Sequence, residues 1–547
     1  MKVSDLLVRC LEAEGVDTIF GVPGEENADV MMSLLDSSIE FVVCRHEQAA
    51  AFMADMHGRL TGRPGVCLAT LGPGASNLLT GVASANMDDS PLVAIIGQAS
   101  TQRLHKESHQ NMDAVAMFQP VTKWASTIRE PDNINEVVHK AFKLAAAEKP
   151  GATVIELPED IAKKDTQDTP IQSRTGDTRA GAEQGHVDLA LELIGQAETP
   201  LILAGWGAIR TGATDALAEL VGRTHTYVAQ TFMGKGALSP RDEHCLYCVG
   251  LGARDIVIEA FEEADLVLCV GYDMVEWHPD RWNIGRATRI VHIDTLPAEV
   301  DQKYNPDIEI VGDIRVTLES INAGLTSAHT KKPSRFAHLR ARMTEELQEH
   351  DSDEAFPMKP QRMLSDLRTA MRDEDILISD VGAHKMWIAR HYPTYEPRTC
   401  FITNGFCSMG FSLPAAIAAK RLHPELNVVA LCGDGGFLMN VQDLITAVRY
   451  ETPITILVWE DHKYGLIEWK QEASFGKSSH IDLVNPDLIQ LAEAFGCQAI
   501  RVNTVSGFTD ALDSAFAETS RPTVIVAPVD YAENMKLTRR LGEIICH

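Results

Sequence analysis

Short apolar runs, each closing on glycine or an acidic residue and followed by a helix-compatible stretch, recur along this chain. Val66-Cys67-Leu68-Ala69-Thr70 leads to Gly72, Leu266-Val267-Leu268-Cys269-Val270 to Gly271, and Val428-Val429-Ala430-Leu431-Cys432 to Gly433. Continuous rather than alternating hydrophobicity marks strands covered on both faces, as in a parallel sheet flanked by helices. The predicted fold class is therefore α/β, built from Rossmann-like, doubly wound parallel-sheet domains. A chain of 547 residues is too long for one core.

Polar breaks divide it into three. The stretch from about Asp165 to Gly185 is rich in Thr, Asp, Gly and Gln. That from about Thr326 to Ser334 carries Lys331-Lys332-Pro333, and charged residues at His350–Glu354 precede the last part. The expected domains are 1–165, 186–325 and 355–547. Strands are expected at Thr18–Phe20, Phe41–Cys44, Val66–Thr70 and Leu92–Gly97 in the first. The second should have them at Pro200–Gly205, Leu266–Gly271 and Ile290–Asp294, and the third at Ile376–Asp380, Val428–Cys432 and Ile454–Trp459. Gly205-Trp206-Gly207 lacks the third glycine of a dinucleotide fingerprint and is expected to be a strand-to-helix turn.

A net charge of -28, from 49 basic and 77 acidic residues, would repel nucleic acid and anionic membranes, so neither is an expected partner. No apolar run reaches the roughly 18 residues that span a bilayer. Val3, Leu6, Leu7, Cys10 and Leu11 have helical spacing rather than the layout of a signal peptide, so the expected location is cytoplasmic. Cys245 and Cys248 form a lone CxxC, expected to be reduced, buried thiols rather than a metal site.

Gly433-Asp434-Gly435-Gly436 follows a strand. Glycines there let a phosphate approach the backbone, and the next helix offers unpaired N–H groups. A carboxylate in that place repels phosphate unless a cation lies between, and magnesium suits carboxylate plus phosphate oxygens. Alone, the tetrapeptide is best read as a turn with Asp434 capping a helix. The next strand ends at Asp461, 27 residues later, and one intervening helix would bring both carboxylates to adjacent strand ends. That crevice is where open α/β sheets bind ligands.

At these residues the chain resembles the thiamine-diphosphate-dependent enzymes, whose signature is Gly-Asp-Gly with Asn or Asp at a strand end about 27 residues on. The resemblance implies Asp434, Asp461 and the Lys463 backbone carbonyl as Mg2+ ligands. Most relatives carry Asn at the second position; Asp461 is shared with FAD-independent, catabolic-type acetolactate synthases. Glu47, in Arg45-His46-Glu47-Gln48-Ala49-Ala50, matches the glutamate that promotes the imino tautomer of the cofactor's aminopyrimidine. An isolated glutamate there would be only a favourable helix-start charge. Pro23, Gly24, Gly72, Gly74 and Asn77 fall in loops resembling the pyrimidine side. Gly382, Ala383, His384, Ser408, Met409, Gly435, Gly436, Tyr464 and Gly465 fall in segments resembling the diphosphate side. Met409 matches the apolar residue that bends the cofactor, and Ala383 stands where many relatives have Gln. The three domains then become pyrimidine-binding, central and diphosphate-binding, and the resemblance implies a homodimer or homotetramer with active sites between subunits.

The segments His109-Gln110-Asn111-Met112-Asp113, Met117–Lys123 and Gly271–Trp277 resemble acetolactate synthases of the FAD-free branch, so no FAD is expected. The implied reaction decarboxylates pyruvate and joins the hydroxyethyl carbanion to a second pyruvate, giving 2-acetolactate. His109 and Gln110 are candidates for orienting substrate oxygens; Gln471 is either near the substrate entrance or on a solvated helix face. Other thiamine-diphosphate decarboxylases or carboligases stay open. So, from a different class, does a phosphate-binding or NAD-dependent oxidoreductase, although its fingerprint is incomplete. Intact Glu47, Asp434 and Asp461 speak against a silent regulatory relative.

Overall fold

The computed structural model describes residues 1–172, 180–252, 255–283, 285, 288–331, 336–350 and 352–541. Parts of both expected linkers lie outside these residues. Three six-stranded parallel sheets organise the chain. The first contains β1 (Thr18–Gly21), β2 (Glu40–Val43), β3 (Gly65–Ala69), β4 (Leu92–Gln98), β5 (Trp124–Thr127) and β6 (Ala152–Pro158). The second contains β7 (Pro200–Ala204), β8 (Tyr227–Gln230), β9 (Cys245–Cys248), β10 (Leu266–Val270), β11 (Arg289–Asp294) and β12 (Ile308–Val311). The third contains β13 (Ile376–Ser379), β14 (Cys400–Ile402), β15 (Val428–Gly433), β16 (Thr455–Glu460), β17 (Gln498–Arg501) and β18 (Thr523–Pro528).

The orders are β2-β1-β3-β4-β6-β5, β12-β11-β10-β7-β8-β9 and β14-β13-β15-β16-β18-β17. The first and third are the same topology, although their sequences show no close repeat. In both, the strand order reverses between the first and third strands, which opens a crevice at their carboxyl ends. In the first sheet those ends are Gly21 and Ala69; in the third they are Ser379 and Gly433. The central strands β3, β4, β7, β10 and β16 are buried at every residue, as their unbroken hydrophobicity requires.

The middle sheet has the dinucleotide-fold order, and its switch point lies between β7 and β10. That crevice is closed by the chain itself. A Cβ on Gly205 would lie 2.4 Å from the Gly271 carbonyl oxygen, so the two turns touch. The Trp206 N–H, at the start of the short helix Trp206–Arg210, donates to both Glu276 carboxyl oxygens at 3.1 Å, and the Thr231 hydroxyl bonds the same group at 2.5 Å. Gly205-Trp206-Gly207 is thus a strand-to-helix turn, as expected, with a side-chain carboxyl on its N–H. Burial pushes the Glu276 carboxyl up to about 8. Between the ordinary glutamate range and that value, the unfolded chain releases a proton that the fold retains, so rising pH favours unfolding. Glu276→Gln should therefore gain several degrees of melting temperature on the native protein as pH rises from 5 to 8. Parallel melting curves against pH would contradict this.

The first and third domains of one chain pack through helices. The helix Glu47–Thr61 is almost wholly buried. Its Ala49, Ala50, Ala51 and Ala54 permit close approach: a Cβ on Gly81 of the helix Pro73–Met87 would come within 2.4 Å of the Ala51 Cβ. It also packs against the helix Ser412–Leu422, where Phe52 meets Phe411 edge to face at 5.4 Å. Beneath them, the Arg59 guanidinium donates to Asp55 at 2.7 Å and to Asp88 at 2.8 Å. Asp88 also accepts from the Thr403 hydroxyl and the Gly405 N–H, both at 2.6 Å. All three charged side chains are buried. Asp88→Ala strands three donors at this junction and should cost about 3–5 kcal/mol of stability, read by denaturant unfolding; a loss below about 1 kcal/mol would mean that the network adds little to holding the domains together.

Cys245 and Cys248 are buried free thiols on β9, as expected. Among the described residues no helix is long and apolar enough to cross a membrane.

Candidate functional site

In the first domain, three loops leave β1, β2 and β3 at one sheet edge. His46 caps the helix that Glu47 begins, its Nδ1 accepting from the Gln48 N–H at 3.1 Å. The Glu47 carboxyl accepts from Asn77 Nδ2 at 3.0 Å. Its other oxygen would lie 3.3 Å from a Cβ on Gly74. Gly24 rests on Thr70, where a Cβ would meet the Thr70 Cβ at 2.4 Å, so the loops are stacked tightly. Gly72 has φ +54, a left-handed backbone, and a Cβ there would sit 2.7 Å from the Gln110 carbonyl oxygen. The structure thus gathers Gly24, Glu47, Gly72, Gly74 and Asn77, with the Gln110 backbone against them. Pro23, His109 and Gln110 are exposed at this rim.

The third domain builds a second cluster at its switch point. Asp434 follows β15 and opens the helix Asp434–Phe437. One carboxyl oxygen accepts from the His462 N–H at 2.8 Å and from Asn485 Nδ2 at 2.7 Å. Asp461 follows β16, the strand paired directly with β15. Its carboxyl accepts from the Lys463 N–H at 3.2 Å. Burial, and then the neighbouring Asp434 charge, push Asp461 up to about 7. A Cβ on Gly465 would come within 2.5 Å of the Asp461 carboxylate, and one on Gly435 within 3.0 Å of the Tyr464 ring. Gln471 lies on the helix Gly465–Phe475 and accepts from the Ser479 N–H at 2.7 Å.

Asp380, which the sequence marked only as the end of a strand, organises the rest. Its buried carboxylate accepts from the N–H groups of Val381, Gly410 and Ser412 at 2.8–3.0 Å, and from the Ser412 hydroxyl. It thereby ties the Ser408-Met409-Gly410 loop to the end of β13. A Cβ on Gly436 would lie 2.8 Å from it. Asn485 was also missed, because it lies 51 residues beyond Asp434 outside any motif. An acid closing an apolar strand was the available signal for Asp380; Asn485 had none.

A buried carboxylate, Asp434, and a half-buried one, Asp461, at neighbouring strand ends are an oxygen-rich, hard site that a divalent cation would relieve of repulsion. Among the described residues no group of three or more His, Cys, Asp or Glu could hold a metal, so a cation here would need its other ligands from backbone, water or phosphate oxygens. His384, at the start of the helix Ala383–His391, is fully buried with Nε2 unpartnered, and its ring faces Gly382 and Gly433. Burial holds it neutral, down to about 3. This orphaned nitrogen and the glycine-rich turn fit a phosphate-bearing cofactor together with a cation.

Two loop clusters, on two sheets of identical topology separated by a dinucleotide-fold domain, are the layout of a thiamine-diphosphate enzyme. The family models agree: the N-terminal thiamine pyrophosphate binding domain matches residues 1–117, the central domain 187–321 and the C-terminal binding domain 380–527. The chain belongs to the thiamine pyrophosphate enzymes, within the acetolactate synthase family. It is 34% identical to an acetolactate synthase of Bacillus subtilis over 99% of this chain and 96% of that protein. It is 36% identical to a catabolic acetolactate synthase of Raoultella terrigena over 98% and 97%. A probable acetolactate synthase large subunit of Methanocaldococcus jannaschii is 34% identical over 100% and 94%.

Proposed function

We propose that this protein condenses two molecules of pyruvate, with loss of carbon dioxide, to give 2-acetolactate. The observation that carries the reading is the paired Asp434 and Asp461 in a chain matching acetolactate synthases over its full length. Asp434, Asp461 and the Lys463 carbonyl would hold magnesium, with Gly435 and Gly436 leaving room for the diphosphate and His384 facing it. Tyr464 and Gly465 shape the loop that carries Asp461. Thiamine diphosphate, when bound, supplies an acidic carbon and an electron sink for 2-oxo acid decarboxylation.

The protein's part is placement and proton control. Glu47, fixed by Asn77, shares a proton with the aminopyrimidine ring nitrogen. Pro23, Gly24, Gly72 and Gly74 pack around that ring, and Ser408 and Met409 buttress the cofactor from the other domain. Gly382 and Ala383 offer backbone to the diphosphate. His109 and Gln110, on the rim above Gly72, orient the carboxylate or keto oxygen of the substrate. FAD plays no part in this reading, and the Glu276 carboxyl on the Trp206 N–H supports that.

The active site is completed by a second copy of the chain, in a homodimer or homotetramer. Two observations support this. Within one chain, among the described residues, no hydrogen bond or ion pair joins residues 21–24, 45–48 or 72–77 to 433–436 or 461–465. The domains instead meet elsewhere, through Asp443 on the Arg45 N–H and Tyr450 on the Val43 N–H.

The deciding experiment supplies purified protein with pyruvate, thiamine diphosphate and magnesium and identifies the products. Acetolactate and one carbon dioxide per two pyruvates are expected; acetaldehyde alone, or no carbon dioxide, would overturn the proposal.

A further inference from the structure

Ten cysteines fall among the described residues, and nine of them are buried; Cys407 alone is partly open to solvent. It lies on the segment Thr403–Gly410, where all three domains meet. Thr403 and Gly405 bond Asp88 of the first domain, and Asn404 Nδ2 donates to the Glu276 carbonyl of the central domain at 2.8 Å. The Cys407 backbone is left-handed, with φ +54.

Beside it stands Lys385, only 5% exposed. Its Nζ donates to Cys407 Sγ at 3.1 Å and to Asn404 Oδ1 at 2.7 Å, and it faces the Phe232 ring at 5.7 Å. Among the described residues no carboxylate lies within ion-pair distance of this ammonium, so the sulfur is its one hydrogen-bonded neighbour that can carry negative charge. As a thiol, Cys407 donates to the Asn404 carbonyl at 3.1 Å and, more weakly, towards the Thr403 carbonyl at 3.8 Å. A buried charge without a counter-ion is costly, and Lys385 stands against the sulfur as a proton donor.

We infer that Cys407, activated by Lys385, is a hydroperoxide-reactive thiol whose oxidation switches the enzyme off. The sulfur attacks one peroxide oxygen; an S–O bond forms as the O–O bond breaks. Sulfur is oxidised by two electrons to the sulfenic acid, and the hydroperoxide is reduced to water or an alcohol. The departing oxygen takes its proton from Lys385, which recovers it from solvent. The added oxygen stands two residues before Met409, so the effect on turnover rests on the proposed function; the oxidation chemistry does not.

The test treats the full-length protein, loaded with thiamine diphosphate and magnesium, with hydrogen peroxide and dimedone, and maps adducts by peptide mass spectrometry. The Cys407 peptide should label before any other, Lys385→Met should slow that labelling about tenfold, and Lys385→Arg, which keeps the charge, should label at close to the native rate. Cys407→Ser should keep its turnover through peroxide treatment that inactivates the native enzyme. First labelling at another cysteine, or unchanged labelling of Lys385→Met, overturns the activated thiol. Full turnover by protein labelled at Cys407 overturns the switch. The labelling arms need no substrate and stand whether or not pyruvate is turned over.

Discussion

Glu47→Gln should lower turnover by about a thousandfold or more while the protein folds normally. The substitution keeps the length of the side chain and an oxygen to accept from Asn77 Nδ2. It also keeps the helix start, because that is capped by His46 rather than by Glu47. What it removes, on the proposed function, is the group that would pass a proton to and from the aminopyrimidine ring nitrogen. Circular dichroism and the melting temperature should match the native protein, and thiamine diphosphate should still bind, followed by quenching of intrinsic fluorescence. A variant retaining turnover within about tenfold would take Glu47 out of the proton path.

Asp434→Asn should separate the stability of the bare protein from its capacity to bind. The native site holds Asp434 beside an Asp461 carboxyl pushed up to about 7, first by burial and then by the Asp434 charge. Neutralising Asp434 removes that repulsion, and the amide oxygen still accepts from the His462 N–H. Without ligands the variant should therefore melt at or above the native temperature. The magnesium concentration needed for half-maximal cofactor binding should rise at least about a hundredfold, since even outer-shell changes at metal sites cost about 10–100-fold. The rise in melting temperature that magnesium and thiamine diphosphate give the native protein should vanish. An undiminished rise would show that the ion, if bound, does not rest on this carboxylate.

The two variants probe the residues that sequence makes most legible. Glycines and an acid after an apolar strand have few physical uses, so Gly433-Asp434-Gly435 and Asp461 stand out in the linear chain. The unbroken strands β3, β4, β7, β10, β13, β15 and β16 are likewise legible, to within a residue or two at their ends. The strands β5, β14 and β17 are not. β5 and β17 lie at sheet edges, and no residue of either is buried, so they lack the continuous hydrophobicity that identifies their neighbours. β14 is only three residues long. The shared order of the first and third sheets is also out of reach, because parallel packing needs only apolar strands and tolerates many sequences.

The chain's own letters determined the α/β class, the three-part layout and the chemistry of the candidate site, because backbone freedom at glycine and charge at aspartate act locally. Tertiary structure alone decided how those parts meet. It set β15 beside β16, so that Asp434 raises Asp461. It brought Asn485 back onto Asp434, held the Met409 loop on Asp380, and left Lys385 with a sulfur for a partner. Each of these depends on the distance between residues far apart in the chain, and burial then fixes its energy, because a charge removed from water must find its partner in whatever the fold places beside it.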